Sequence, residues 1–559
     1  MNGHHRANKK PAEEQPEALR TEQPVPGSGG RGNDVWGLLV SSMTGDADRA
    51  ERLLRSDPGL ANCRWGYSAP LHFAVCEGHE QVASLLLEHG ADATYRSPLS
   101  WQDDYVTVAR DRGHEAIVRL LERHLESRYG TSSEGGRLAE LIRARQTDLA
   151  VQMLDRSPEL LHAADERGNT PLHWATLTRQ LPLIDVLLER GADIRARRGD
   201  GATPLQLAIA GGDYWFRARR DLTERAIRNE WFLVGYLTAR GADYDIGAAA
   251  AVGDTERLTL LLEADPQLAN AGSPAGFRPL GFAAKYGHTA AVRLLLEHGA
   301  DPNAPETDAP QGSALWHAAA GNHAGCAELL LERGALPDAA VEAGGTPLFI
   351  AISKGYDRLV RLLYAHGGSI GLDSACWLGR IDLAGEMIRA DRTLVNGGGD
   401  YGPLCLAAGA GHADIVRLLI RSGADLQAPW YANNYMGYAA DSGTEMVRLL
   451  LQAGADPNHA NWQGVTYLHT AAYRGQTAVA ALLLEFGADP DAIDQEHGTT
   501  PLGWAAKAGQ TDMVRWLLEQ GADPRLPAGE PRLTPSAWAE RRGHADLAVM
   551  LRKAAQVHD

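Results

Sequence analysis

One short pattern recurs along nearly the whole chain and limits what it can fold into. It is plainest in RPLGFAAKYGHTAAVRLLLEHGADPN, TPLFIAISKGYDRLVRLLYAHGG, PLCLAAGAGHADIVRLLIRSGADLQ and TPLGWAAKAGQTDMVRWLLEQGADPR. With the glycine of the Gly-Ala-Asp element as marker, Gly299 to Gly334 is 35 residues, Gly334 to Gly367 is 33, Gly423 to Gly454 is 31, Gly454 to Gly487 is 33 and Gly487 to Gly521 is 34. A period of about 33 residues, too short to close a core of its own, predicts a stacked array. Size agrees, because a single core stops growing at roughly 250–300 residues and this chain has 559.

Each copy reads as two short helices and a turn. Thr-Pro opens the first helix at Thr170-Pro171, Thr203-Pro204, Thr346-Pro347, Thr500-Pro501 and Thr534-Pro535. Threonine suits the N-cap, and proline suits the first helical position, where its missing N–H costs nothing. Small pairs such as Ala283-Ala284 and Ala505-Ala506 let neighbouring first helices approach closely. The second helix spaces apolar residues at i, i+3 and i+4, as in Val292, Leu295 and Leu296 or Val416, Leu419 and Ile420. It ends at a glycine suited to the left-handed position, Gly299 or Gly423.

These residues resemble the ankyrin repeat. The signature T-P-L-H-x-A stands nearly intact at Pro70-Leu71-His72-Phe73-Ala74 and at Thr170-Pro171-Leu172-His173-Trp174-Ala175, with a variant at Thr466-Tyr467-Leu468-His469. The match covers residues 34–559. The resemblance implies an all-α fold, an ankyrin-repeat solenoid of about 16 helix-turn-helix units with short β-hairpin fingers. It further implies an L-shaped or horseshoe stack whose fingers and first helices line a concave groove, and a protein partner bound in that groove. The signature histidines His72, His173 and His469 are expected to be hydrogen-bonding groups within the repeat.

Departures from the pattern suggest the domain organisation. Residues 1–33 are rich in Pro, Glu, Gln and Gly, carry few large apolar side chains and are expected to be a disordered tail. Four copies replace the long finger with SDPGLAN, RSPELLH, ADPQLAN or ADRTLVN, whose leucines are Leu60, Leu160, Leu268 and Leu394. They divide the array into blocks 34–132, 133–242, 243–369 and 370–559, the last including a C-terminal cap, as duplication of a multi-repeat cassette would. A helical insertion near 214–231 enlarges the second block.

Composition narrows the function. Lys+Arg 54 against Asp+Glu 71 gives a net charge of −17, and without a basic footprint no nucleic acid partner is expected. Cys63, Cys76, Cys326, Cys376 and Cys405 are odd in number and form no C-x-x-C pair, which argues against a disulfide framework or zinc site. With no run of 18 apolar residues and no apolar leader at the N-terminus, no membrane contact and a cytoplasmic location are expected. The Ala- and Arg-rich composition leans towards a bacterial type of repeat protein.

Catalytic patterns occur by letter and fail by context. Gly367-Gly368-Ser369-Ile370-Gly371 fits G-x-S-x-G but occupies the repeat's turn, and Gly27-Ser28-Gly29-Gly30-Arg31-Gly32 fits G-x-G-x-x-G without a preceding strand. The neighbouring carboxylates Asp103 and Asp104 read as solvated. No catalytic residue, cofactor site or metal site is expected.

Three aromatic and arginine clusters are the partner-binding candidates. The first joins Trp430, Tyr431 and Asn434 on one finger to Trp462 and Gln463 on the next and to Tyr473 and Arg474 behind it. The second holds Trp65, Tyr67, Trp101 and Tyr105. The third holds Arg217, Arg219 and Arg220 in the insertion. The expected function is a non-catalytic scaffold or adaptor, monomeric and acidic, binding a protein through the groove. The alternatives are a small-molecule-binding or catalytic protein using aromatic groove pockets, and a host-directed effector.

Overall fold

A computed structural model of the protein describes residues 15–25, 28–95, 102–165, 168–198, 201–210, 230–273, 276–306, 309–341, 344–397, 402–428 and 434–557. These residues form sixteen helix pairs, from Gly32–Thr44 with Ala47–Ser56 to Pro535–Arg541 with Ala545–Val557. The chain is thus a helical repeat solenoid with the expected number of units. It divides into two compact units, one built on Ala18–Arg110 and His114–Ser369 and the other on Ile370–Asp559. No described helix is long and apolar enough to cross a membrane.

The local chemistry follows the repeat. The hydroxyls of Thr170, Thr346 and Thr500 accept from the amides of His173, Phe349 and Gly503, satisfying a donor that the helix leaves open. Thr534 differs, because its hydroxyl donates to the Pro531 carbonyl and caps nothing. Gly299 and Gly423 take φ of 84° and 97°, as a left-handed helix end requires. The fingers are shorter than the expected hairpins. They close on single bridges such as Trp65 with Ser68, Glu306 with Ala309 and Ala460 with Thr466, since a turn of so few residues leaves no length for a ladder.

Two sets of side chains tie neighbouring units together in several places. The Asn270 amide donates to the Gly299 carbonyl at 2.8 Å and accepts from the Asp301 amide at 2.8 Å. Asn303, Asn396 and Asn458 repeat this two-way bond one unit ahead. Histidines in the loop between the two helices reach back instead. Nε2 of His79, His288, His323 and His412 meets the carbonyls of Met43, Ala251, Lys285 and Trp377 at 2.9–3.1 Å, on the C-terminal end of the preceding first helix. Both ties satisfy backbone groups that helix ends and turns would otherwise leave unpaired.

The four variant endings fold into 310 turns, Pro58–Asn62, Pro158–Leu161, Pro266–Asn270 and Arg392–Asn396. Asp57, Asp265 and Asp391 each cap one by accepting a backbone amide at 2.9–3.0 Å. Thr393 bonds to Asp391 through both its hydroxyl and its amide, which holds that carboxyl below its ordinary pKa. The shared leucines do not share an environment: Leu60 and Leu160 are buried, whereas Leu394 is 41% exposed.

The described part of residues 15–33 differs from the disorder expected of it. Glu17–Leu19 forms a 310 turn, and Pro24–Val25 pairs antiparallel with Gly30–Arg31. One fully buried side chain, Leu19, and backbone bonds such as Arg64 N to Ser28 O at 2.8 Å hold it, so order here comes from hydrogen bonds that composition does not reveal. All five cysteines are buried free thiols, and burial pushes Cys63 and Cys376 up to about 12.

Candidate interaction site

Three neighbouring first helices of the second compact unit, Tyr467–Arg474, Pro501–Lys507 and Pro535–Arg541, carry a dense polar and aromatic cluster with the fingers that precede them. Trp504, fully buried, anchors it. Its indole N–H donates to Asp494 Oδ2 at 2.9 Å, and the same carboxylate accepts the backbone amides of His497 at 2.6 Å and Thr499 at 3.1 Å. One buried carboxylate thereby fixes the whole finger to the helix behind it.

The signature histidine extends this lock. Thr466 and His469 form a reciprocal capping box, with Nδ1 2.8 Å from the threonine hydroxyl, while Nε2 lies 3.3 Å from the Thr499 carbonyl on the next finger. Burial lowers the His469 pKa from its ordinary value, and the opposing pull of Asp494, 3.9 Å away, does not reverse it. The ring is therefore a neutral structural group. His173 is placed alike, bonded to Thr170 and to the Ala202 carbonyl at 3.1 Å.

Outside this lock lies a more charged layer. The His497 ring centroid is 4.8 Å from that of Trp504 and 5.4 Å from that of Trp538, and its Nε2 is 3.1 Å from Lys507 Nζ. Lys507 and Arg541 both face the Trp538 ring, at 5.7 and 4.2 Å from its centroid. Glu496 accepts from the Gln463 amide at 2.5 Å, and the Gln495 amide donates to the Gln463 carbonyl at 2.8 Å. Asp494, Glu496, His497 and Lys507 are all buried, so the layer is pre-formed and fixed.

Several predicted residues meet at the edge of this cluster. Tyr473 is half-buried, its ring edge-on to Trp504 with centroids 6.0 Å apart, and Arg474 is exposed with its guanidinium on Asp441 at 2.7 Å. Trp462 is half-buried on the finger in front. Gln463 differs from its assignment: it is buried and its amide serves Glu496, so it braces fingers and is not offered to a partner. Asn434 stands at the N-cap position of Tyr435–Ser442 without a side-chain capping bond, whereas Trp430 and Tyr431 lie outside the described residues.

The second predicted cluster is only partly described. Trp65 and Tyr67 are half-buried in a tight finger, and the Tyr95 hydroxyl donates to the Tyr67 carbonyl at 3.1 Å. Tyr105 is buried, unlike a contact residue, and burial drives its phenol well above the ordinary range. Asp104 caps the helix Tyr105–Arg112 by accepting the Thr107 amide at 2.8 Å. Trp101, Arg217, Arg219 and Arg220 lie outside the described residues.

Sequence reading missed Asp494, Glu496, His497, Lys507 and Trp538. A signal for them exists in the finger Asp494-Gln-Glu-His-Gly-Thr-Thr500, which is one residue longer than Asp165-Glu-Arg-Gly-Asn-Thr170 and holds its charges at turn positions. Among the described residues no three His, Cys, Asp or Glu side chains gather as metal ligands would.

Comparison with known proteins agrees with this architecture. The pattern described as ankyrin repeats in three copies matches residues 246–340, 305–374, 372–461 and 436–528, that for many copies matches 153–208, and the single ankyrin repeat matches 68–98. The chain belongs to the ankyrin repeat family, whose repeats are protein-interaction modules. It is 27% identical over 480 residues to the ankyrin repeat and KH domain-containing protein mask-1 of Caenorhabditis elegans, covering 80% of this chain and 16% of that one. It is 30% identical over 142 residues to palmitoyltransferase ZDHHC13 of Mus musculus, 25% of this chain and 23% of the relative. It is also 30% identical over 209 residues to the E3 ubiquitin-protein ligase XBAT32 of Arabidopsis thaliana, 31% of this chain and 40% of the relative. The chain spans less than half the length of each of these relatives.

Proposed function

We propose that the chain is a non-catalytic adaptor, monomeric and cytoplasmic, that offers the finger and first-helix surface around Trp462, Tyr473 and Arg474 to a protein partner. The observation that carries this reading is the buried lock behind that surface. Asp494, His469, Gln463 and Glu496 hold two fingers against their helices, so the surface loses little freedom on binding. Aromatic and arginine side chains at its edge are the types that dominate binding energy at interfaces. The chain's charge of −17 favours a basic partner and faster association at low salt.

The test is crosslinking and mass spectrometry with the full chain in its native cell extract. A specific protein recovered with the wild type should fall at least tenfold with Tyr473→Ala/Arg474→Ala, compared at a temperature below the unfolding transition of both chains. Undiminished recovery sinks the proposal.

A further inference from the structure

The finger 494–500 is one residue longer than the finger 165–170, and a titratable ring fills the extra space. His497 lies between two tryptophans, its ring centroid 4.8 Å from that of Trp504 and 5.4 Å from that of Trp538. Its Nε2 is 3.1 Å from the Lys507 ammonium, and both side chains are buried. An ammonium has donors only, so Nε2 is the acceptor and the imidazole is neutral, with its proton on Nδ1. One added proton would replace this bond by two cations in contact, in a layer nearly closed to water.

The charged groups around the ring do not welcome that proton. On its own finger Asp494 already serves the Trp504 indole and two backbone amides, and Glu496 accepts from the Gln463 side chain. Pro501–Lys507 contributes Lys507 itself. At the end of Pro535–Arg541, Arg541 and Arg542 stand 4.2 and 5.5 Å from the Trp538 ring centroid. From Tyr467–Arg474 the neutral His469 meets the Trp504 ring at 5.5 Å. Asp111 and Arg112 belong to the same compact unit: Asp111 pairs with Arg542 at 2.6 Å and Arg541 at 3.2 Å, and Arg112 donates to the carbonyls of Gln495 and Glu496 at 2.7 and 3.0 Å. The cations Lys507, Arg541, Arg542 and Arg112 thus face three carboxylates that all hold other donors. The same finger braces the recognition edge. Glu496 and the Gln495 amide hold Gln463 beside Trp462, and Trp504 carries the Tyr473 ring at 6.0 Å.

We infer that the pair of His497 and Lys507 is a proton switch on this surface, a role that rests on the function proposed for it: the partner binds while His497 is neutral and is released when His497 takes up a proton. Protonation at Nε2 breaks the bond to Lys507 and drives the two cations apart. The ring sits on the finger that holds Gln463, so its displacement draws Gln495 and Glu496 away from the Trp462 finger and removes the Trp504 face from under Tyr473. Histidine is the side chain whose charge changes between about pH 5 and 8, so the surface is fixed at neutral pH and loosens on acidification.

The test has two arms, both on the full chain and below the unfolding transition of every variant. In the first, tryptophan emission is followed from about pH 7.5 to 5.5 without a partner. An imidazolium between two indoles quenches them, so the wild type should show a step that His497→Gln lacks. Lys507→Met removes the opposing ammonium and should move the midpoint of that step up by at least about half a pH unit. In the second arm, crosslinked capture of the partner from native extract should fall at least about fivefold between the two pH values for the wild type and stay within about twofold for His497→Gln. Identical titrations of the wild type and His497→Gln, or an unmoved midpoint in Lys507→Met, overturn the switch whatever is captured. A step accompanied by equal capture at both pH values also overturns it. A step with no protein captured at either pH sinks the function proposed for the surface and upholds the titration of the pair.

Discussion

The finger from Asp165 to Thr170 in one compact unit and the finger from Asp494 to Thr500 in the other are built on one clamp and diverge beyond it. In each, a buried aspartate accepts the indole N–H of the tryptophan four residues after the helix-capping threonine, at 2.7 Å in Trp174 and 2.9 Å in Trp504. Around Trp174 the neighbours are Arg143, 5.0 Å from the ring, and a buried Arg198 bonded to Asn169 at 3.3 Å. Around Trp504 they are His469, His497 and Tyr473, three rings within 6.0 Å. One additional residue in the second finger makes room for His497 between two tryptophans. The clamp is therefore structural and common to both, and the individuality lies in what the longer finger adds.

Removing the tryptophans tests this division most severely. Trp504→Ala should cost about 3–5 kcal/mol in urea unfolding, as loss of a large buried ring does. Trp174→Ala should cost about 1 kcal/mol less, since the loss at Trp504 includes its contacts with the rings of His469, Tyr473 and His497. Equal losses would mean that the layer around His497 adds nothing to the clamp.

Removing the acceptor comes next. Asp494→Ala leaves three buried donors, the His497 and Thr499 amides and the Trp504 indole, without their carboxylate, at a cost of about 1–3 kcal/mol. Trp504→Phe removes the indole donor but retains most of the ring, and its cost should be the smaller of the two. Were Trp504→Phe the larger loss, the finger would be held by the ring and not by the carboxylate.

The repeat itself was legible because it rests on period, caps and glycine positions, all of which are local and recur. Thr170, Thr346 and Thr500 cap as their spacing implies, and His469 bonds within and between repeats. The cluster was legible only at its edge. Tyr473 and Arg474 stood out as unusual letters at the end of a helix, whereas Glu496, His497 and Lys507 look like ordinary turn and helix-end residues. Their burial depends on Trp504 and Trp538, which arrive from two successive units. Likewise Gln463 reads as a polar finger tip until the next finger places Glu496 against it.

A pH titration separates the neutral histidine from the charged layer. His469 has a folded pKa below its ordinary value of 6.5, so between the two values the unfolded chain binds a proton that the folded chain does not. Stability should be flat in this contribution above pH 6.5 and fall as the pH drops below it, by up to about 1.4 kcal/mol per pH unit. His469→Gln should flatten that slope, measured as the urea midpoint between pH 5 and 7, while lowering stability at pH 7. An unchanged slope would mean that His469 binds its proton equally in the folded and the unfolded chain.

The smallest expected effect on stability is at Arg474, and it is the most informative for function. Its bond to Asp441 joins side chains that are 39% and 62% exposed, so Arg474→Ala should change the unfolding free energy by no more than about 0.5 kcal/mol. The guanidinium nevertheless stands beside Tyr473 at the rim of the fixed layer, where a partner would meet it first. Loss of a rim charge acts mainly on the association rate and its salt dependence. Arg474→Ala should therefore alter the rate at which the partner binds without altering the melting temperature, and raising the salt should shrink the difference from wild type. An equal deficit at all salt concentrations would assign Arg474 to packing, and with it would move the recognition surface away from this edge and towards His497 and Lys507.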